Sequence, residues 1–318
     1  MNTKRWIARK ENNWKTLDKL LKQSEKKGLK SLSAGEIKQL ASLYRSVSAD
    51  FAKVKTNKLG ATLTKDLQDL TARGYNQIYQ GSRRQEWLAV KDFYTWGFPE
   101  IVRETALYTA IATAIFLLLF LIGWWYIWRD PVFADLALPP SIIEQVRDRN
   151  ELWMGSIVGN EAISSSGIMT NNLAVAFRAV AGGATAGIFT IFIMAFNGFH
   201  IGTIGAFVTQ NNLGYPFWAF VCPHGSLELP AIFLAGGAGL LIGKAMVFPE
   251  QYRRIDALKI NGTKAARLVF GIVPMLIIAG IIEGFFSPNP LIPDALKYLT
   301  GLIIFGFFIL YLNKQKED

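Results

Sequence analysis

From Ala106 to Trp128 the chain runs 23 residues without a charge and closes on Trp124-Trp125-Tyr126-Ile127-Trp128. At ~1.5 Å rise per residue, a helix of this length crosses the ~30 Å of hydrocarbon in a bilayer. Hydrocarbon offers the backbone no hydrogen-bond partner, so such a run must satisfy its own peptide groups as a helix. That one stretch commits the chain to a membrane. With it, the apolar pattern predicts spans near 106–128, 173–196, 198–221, 228–248, 266–286 and 296–312. The third is expected to be broken or re-entrant, because Gln210-Asn211-Asn212-Leu213-Gly214-Tyr215-Pro216 interrupts it. The fold class is therefore all-α: a polytopic membrane protein of about six spans.

Charge divides the chain. Residues 1–105 hold 21 Lys/Arg against 11 Asp/Glu, a net +10, whereas residues 106–318 hold 13 of each. The whole formal charge thus sits in the first third, as in a basic cytoplasmic domain leaning on anionic lipid. The basic residues are spread along helices and no nucleic-acid motif accompanies them, so nucleic acid is not an expected partner. Within residues 1–81, Trp14, Leu17, Leu20 and Leu21 mark a first amphipathic helix. Ser33 and Glu36, at capping-box spacing, open a second striped by Ile37, Leu40, Leu43, Tyr44, Val47, Phe51 and Val54. Leu63, Leu67, Leu70, Tyr75 and Tyr79 stripe a third that Gly81 is expected to close. Residues 82–105 mix aromatic and charged side chains and read as an interfacial helix, with Pro99 at the elbow into the bilayer. The membrane domain is then 106–318.

Within the loop 129–172, residues 130–172 carry six acids and only Arg147 and Arg149, whereas 249–267 carries five bases against Glu250 and Asp256. The positive-inside rule places the first on the trans side, and the second on the cytoplasmic side with both termini and the Lys314-Gln315-Lys316 tail. Within 129–172, Ser141 and Glu144 have capping-box spacing and are expected to open a short helix. The start Met1-Asn2-Thr3-Lys4-Arg5-Trp6 lacks a signal-peptide core. A bacterial inner membrane, or a thylakoid-type one, is the expected location. Cys222 is the single cysteine, so neither a disulfide framework nor a CxxC metal site exists. Gly183 and Gly187, in GxxxG spacing, and Gly239 and Gly243 are expected to pack helices and to pair two copies of the chain.

The most informative stretch is Cys222-Pro223-His224-Gly225-Ser226-Leu227-Glu228-Leu229-Pro230. Polar and ionisable residues within membrane spans are costly and mark function by default. Asn171, Asn172, Arg178, Asn197, His200, Gln210 and Glu283 join His224 and Glu228 as polar residues in or beside the spans, with Arg178 and Glu283 as candidate partners. Only two histidines are present and no HExxH, so the His-rich intramembrane protease design is absent. A mixed His224/Glu228/Glu283 site is the one metal arrangement the composition leaves open, but the expectation is no metal and no cofactor. Cys222 beside His224 lacks the opposed geometry of a nucleophile pair. A broken helix with midplane ionisable residues would suit a transporter of a small solute or ion. The bland alternative starts a helix near Gly225, with Glu228 in its favourable first turn and His224 capping the segment before it.

These residues resemble the stage II sporulation protein M family of integral membrane proteins. The core Pro223-His224-Gly225…Glu228…Pro230-Ala231 is its most specific mark. Asn171-Asn172, Asn197-Gly198 and Arg5-Trp6-Ile7-Ala8-Arg9-Lys10 with Trp14 also resemble the family, and Leu43-Tyr44-Arg45 with Asp50 is similar to the helical domain of its longer, non-sporulating members. The resemblance implies a scaffold that gathers other envelope proteins at the membrane, without enzyme activity. Membrane lipids and a second copy are its expected partners, and solute or ion transport is the alternative.

Overall fold

The computed structural model describes residues 3–315, with side chains described for all of these except residues 3, 4, 30 and 80–85. Met1, Asn2 and the expected tail residue Lys316 lie outside the described residues. Those described form helices and connecting turns, with no strand among them. The chain divides into two compact units, one ending at Asp92 and one beginning at Phe93.

The first unit is built on α1 (Thr3–Lys27), α2 (Ala34–Thr56) and α3 (Ala61–Tyr75). Ser33 and Glu36 form the reciprocal capping box that their spacing predicts, with Ser33 N–H donating to the Glu36 carboxylate at 2.7 Å. Leu17, Leu21, Leu40, Val47, Val54 and Leu67 meet in one core. Each such side chain contributes ~1.5–3 kcal/mol by leaving water. Tyr75 and Tyr79, read as part of the third stripe, instead face outward. Gly81 does not end the helix: the backbone passes through a π turn (Asn76–Gln80) into α4 (Gly81–Asp92). Two polar ties fix the bundle. Trp14 Nε1 and Lys10 Nζ both reach the buried Asp50 carboxylate, at 3.1 and 3.3 Å. The Arg73 guanidinium grips Glu25 with two N–H groups and Asp18 with a third. Burial acts to raise the Asp18 pKa, but hydrogen bonds from Lys22 and Arg73 outweigh it and hold the carboxyl below its usual range.

The second unit contains α5 (Phe98–Glu104), α6 (Ala106–Arg129), α7 (Phe133–Ala137), α8 (Pro140–Ile143), α9 (Glu161–Ala181), α10 (Ile188–Gln210), α11 (Gly214–Val247), α12 (Arg254–Ile281) and α13 (Asp294–Leu312). Five of these segments are long and apolar enough to cross a membrane: α6, α10, α11, α12 with the π turn that extends it to Phe286, and α13. They make the chain an all-α polytopic membrane protein.

Several expected boundaries are corrected. The span expected at 173–196 does not exist as one helix, because α9 ends at Ala181 and the chain reverses through Gly182–Thr185, Ala186 and Gly187. Ala186 and Gly187 both have positive φ (54° and 84°), which no helix interior tolerates. The break expected within 198–221 is real but is a turn at Asn211–Leu213 between two unbroken helices, α10 and α11. The span expected to begin at 228 begins at Gly214. Residues 98–102 do not lie on a surface as an interfacial helix: Phe98, Ile101 and Val102 are buried with Leu268 and Ile272. The bend into α6 falls at Thr105 rather than Pro99, and Thr105 Oγ1 donates back to the Ile101 carbonyl. The helix expected to start at Ser141 starts at Pro140, without a side-chain cap.

α9 is too polar to count among the apolar spans, yet it runs the depth of the bundle. Ser165 Oγ near its start donates to the Gly280 carbonyl of α12, and the Ala179 carbonyl near its end accepts from Thr190 Oγ1 of α10. Residues 130–160 fold over one end of α6, α10 and α11, where Leu138, Val146 and Met154 share a core with Ile127, Phe207 and Phe217. The most extensive helix pair is α6 with α10. A Cβ at Gly198 or Gly202 would overlap the carbonyl oxygen of Phe116 or Phe120. This GxxxG spacing lets two backbones meet where packing, not hydrophobicity, drives association. Gly202→Leu is therefore expected to lower the melting temperature of the detergent-purified protein by several degrees, at a cost of ~1–3 kcal/mol. The same change at Gly306, which has open space around it, is expected to leave the melting temperature unmoved.

Candidate functional site

The Pro223-His224-Gly225 motif lies inside α11, not at its start. The helix is continuous from Gly214 to Val247 and carries both Pro223 and Pro230 in its interior. Each proline removes one backbone donor. Ser226 Oγ donates to the Pro223 carbonyl at 2.7 Å, an interaction that shields polar backbone near the first proline. Since the helix starts ten residues before His224, neither His224 nor Glu228 can act as a cap, and the helix-start reading is overturned. Trp218 stands ~15 Å along the helix from Glu228, about half the thickness of hydrocarbon.

With the helix continuous, His224 and Glu228 share one face, as i and i+4 must. Glu283 meets them from a π turn (Ile282–Phe286) that follows α12. One donor atom from each of His224, Glu228 and Glu283 lies within 4.8 Å of the other two. His224 Nε2 is 3.8 Å from Glu283 Oε1, and both side chains are largely buried (6% and 14% exposed). On the other side of the ring, Nδ1 lies 3.1 Å from Ser287 Oγ. The Phe220 ring meets the imidazole edge-on at 5.3 Å. Oε2 of Glu228 and Oε2 of Glu283 are buried and have no hydrogen-bond partner. Two adjacent buried carboxylates repel unless a proton or cation stands between them.

The other expected site residues lie elsewhere. Arg178 is in the last turn of α9, whose neighbouring Ala179 packs against Gly239, eleven positions along α11 from Glu228. It is therefore not a partner of the cluster. Asn171 and Asn172 sit on α9, with the Asn171 amide donating to the Asn172 side chain at 3.4 Å. Asn197 donates back to the Ile193 carbonyl of its own helix, and Gly198 serves the α6–α10 contact. His200 stacks on Phe196. Gln210 donates to the Ile127 carbonyl and so satisfies the end of α6. Cys222 faces Tyr298 and Gly301 of α13, a different face of α11 from His224. Gly183 packs on Gly239 and Gly187 on Gly243 within the chain.

The sequence pattern alone does not single out Ser287. Its place four residues after Glu283 was the available signal. Ser287 is fully buried and touches the imidazole, so removing its hydroxyl leaves a buried ring nitrogen unpartnered. Ser287→Ala is expected to cost ~1–3 kcal/mol. It should appear as a lower thermal midpoint in detergent, while Ser166→Ala on the exposed side of α9 should not change it.

Comparison with known proteins fits this arrangement. Residues 4–80 match the model of a Domain of unknown function (DUF8413). Residues of the chain are 28% identical over 142 positions to an uncharacterized protein of the archaeon Methanocaldococcus jannaschii, MJ0793; the match covers 44% of this chain and 80% of that one. No solved structure matches. The model of Stage II sporulation protein M matches residues 112–288, which hold α9, α10, α11 and the whole His224/Glu228/Glu283 cluster. The chain belongs to the Stage II sporulation protein M family.

Proposed function

We propose that this protein is a non-enzymatic assembly protein of the cytoplasmic membrane, with a basic helical module that docks other proteins and a bundle that holds it at the bilayer. The observation that carries this reading is the continuity of α11 through Cys222–Pro230. A transport reading leaned on a helix broken at membrane depth, and the break is instead a turn joining α10 to α11. The polar motif joins helices rather than unwinding one: His224 of α11 meets Glu283 and Ser287 beyond α12.

Topology follows from charge in the same reading. Arg178, Lys244, Arg253 and Arg254 fall at the ends of α9 and α11 and at the start of α12, which supports a cytoplasmic orientation for that end of the bundle. Counting α9 with the five apolar helices as a sixth crossing is in keeping with both ends of the membrane unit on that side. The net +10 of residues 1–105 supports docking of acidic protein surfaces there.

The test uses the full chain in two settings. In liposomes loaded with pH-sensitive and divalent-cation-sensitive dyes, an assembly protein leaks no faster than empty vesicles. In native membranes, chemical cross-linking is expected to yield a stoichiometric partner, whose recovery falls several-fold when the exposed Lys19, Lys26 and Lys38 are changed to Glu. Protein-dependent flux that Glu228→Gln abolishes without unfolding the protein would replace this reading with transport.

A further inference from the structure

We propose that His224, Glu228 and Glu283 form a binding site for one divalent cation of the zinc class, with His224 Nε2 and one oxygen from each carboxylate as ligands. The site goes beyond the assembly reading and does not depend on it. Its chemistry rests on four observations.

The first is spacing. Ligands ~2.0–2.1 Å from a tetrahedral ion stand ~3.3 Å from one another. The three donor atoms already lie within 4.8 Å of each other, and His224 Nε2 is 3.8 Å from Glu283 Oε1. That separation is too long for a hydrogen bond and close to the edge of a coordination tetrahedron. The second is orientation. Ser287 Oγ at 3.1 Å occupies Nδ1, and when Nδ1–H donates to it the Nε2 lone pair faces the carboxylates. A metal-bound histidine is held in this way by a partner on its other nitrogen.

The third is the pair of orphaned oxygens. Glu228 Oε2 and Glu283 Oε2 are buried without partners, a cost of several kcal/mol per ionised group in a low-dielectric interior. A dication between two carboxylates makes the cluster neutral and gives those groups a partner. The fourth is local backbone. Glu283 sits on a π turn, an insertion that redirects a side chain and recurs at functional sites. One nitrogen and two oxygens suit zinc and its first-row neighbours. Magnesium and calcium favour shells made of oxygen, and copper(I) favours thiolates, from which Cys222 is turned away. A tetrahedral ion here would keep its fourth position for water and would clamp α11 to the end of α12.

The test begins with the wild-type chain, purified in detergent through a tag without histidine, equilibrated with Zn²⁺ and washed. Elemental analysis is expected to give about one zinc per chain, and Co²⁺ in its place the visible absorption of a tetrahedral centre. EDTA should lower the melting temperature and Zn²⁺, not Mg²⁺, should restore it. Glu283→Gln and His224→Ala should each cut zinc content at least tenfold. If wild-type protein retains no zinc above buffer and Co²⁺ stays octahedral, the proposal is overturned. It is equally overturned if Glu283→Gln, still folded by its melting transition, keeps the wild-type zinc content. Because wild-type measurements need no variant, a variant that fails to fold leaves the test intact. Partner capture plays no part in it, so failure here and failure of the assembly reading are separate results.

Discussion

Hydrocarbon makes an unpaired ionisable side chain more expensive than any packing fault, and this chain places three within a few ångströms of one another. His224 and Glu228 could not be tolerated separately on α11 at that depth. The π turn after α12 brings Glu283 toward Nε2 of the imidazole and Ser287 closes its far side, so both nitrogens of His224 have neighbours, while the two carboxylates still require a proton or a cation between them. The bundle around them is arranged so that α11 can reach the end of α12. α11 is long, unbroken by its two prolines, and buried along much of its surface.

The other helices hold that geometry by close backbone approach rather than by bulk. α10 lies against α6 through Gly198 and Gly202, and α9 lies against α11 through the carbonyl of Ala179 at Gly239. Where side chains are absent, hydroxyls complete the backbone bonds: Thr190 serves the Ala179 carbonyl and Ser165 the Gly280 carbonyl. The cap formed by residues 130–160 covers the end of the bundle from which Phe217 and Phe220 lead down to His224. Removing water from this end strengthens every electrostatic contact beneath it.

Much of this was legible in the chain of residues, and what was not has physical causes. The uncharged run at 106–128, the capping box at Ser33 and the Leu17, Leu40 and Leu67 stripes reported local structure directly, because each depends on near neighbours. The polar motif around His224 marks the stretch of α11 that packing brings against Glu283. Helix ends in the membrane were misread because hydropathy does not see a turn made of small residues: Gly182-Gly183-Ala184-Thr185 is as apolar as a span, yet the chain reverses there. The same blindness hid α9, whose Ser165 and Asn172 are polar but buried against other helices. Prolines misled in the opposite direction. Pro223 and Pro230 suggested a helix start, and the tertiary contacts of α11 carry the helix through both. Glu283 and Ser287 could be placed beside His224 only by packing, since 59 residues separate the nearer of them from it along the chain.

The central claim is that His224 and Glu283 act as one unit joining α11 to α12. A double-mutant cycle on the full chain, with unfolding of His224→Ala, Glu283→Gln and the double variant followed in detergent, measures this directly. The account predicts a coupling of about 1–3 kcal/mol, with the double variant no less stable than the weaker single one. Losses that add, with coupling indistinguishable from zero, would show that the two residues act independently and would contradict it.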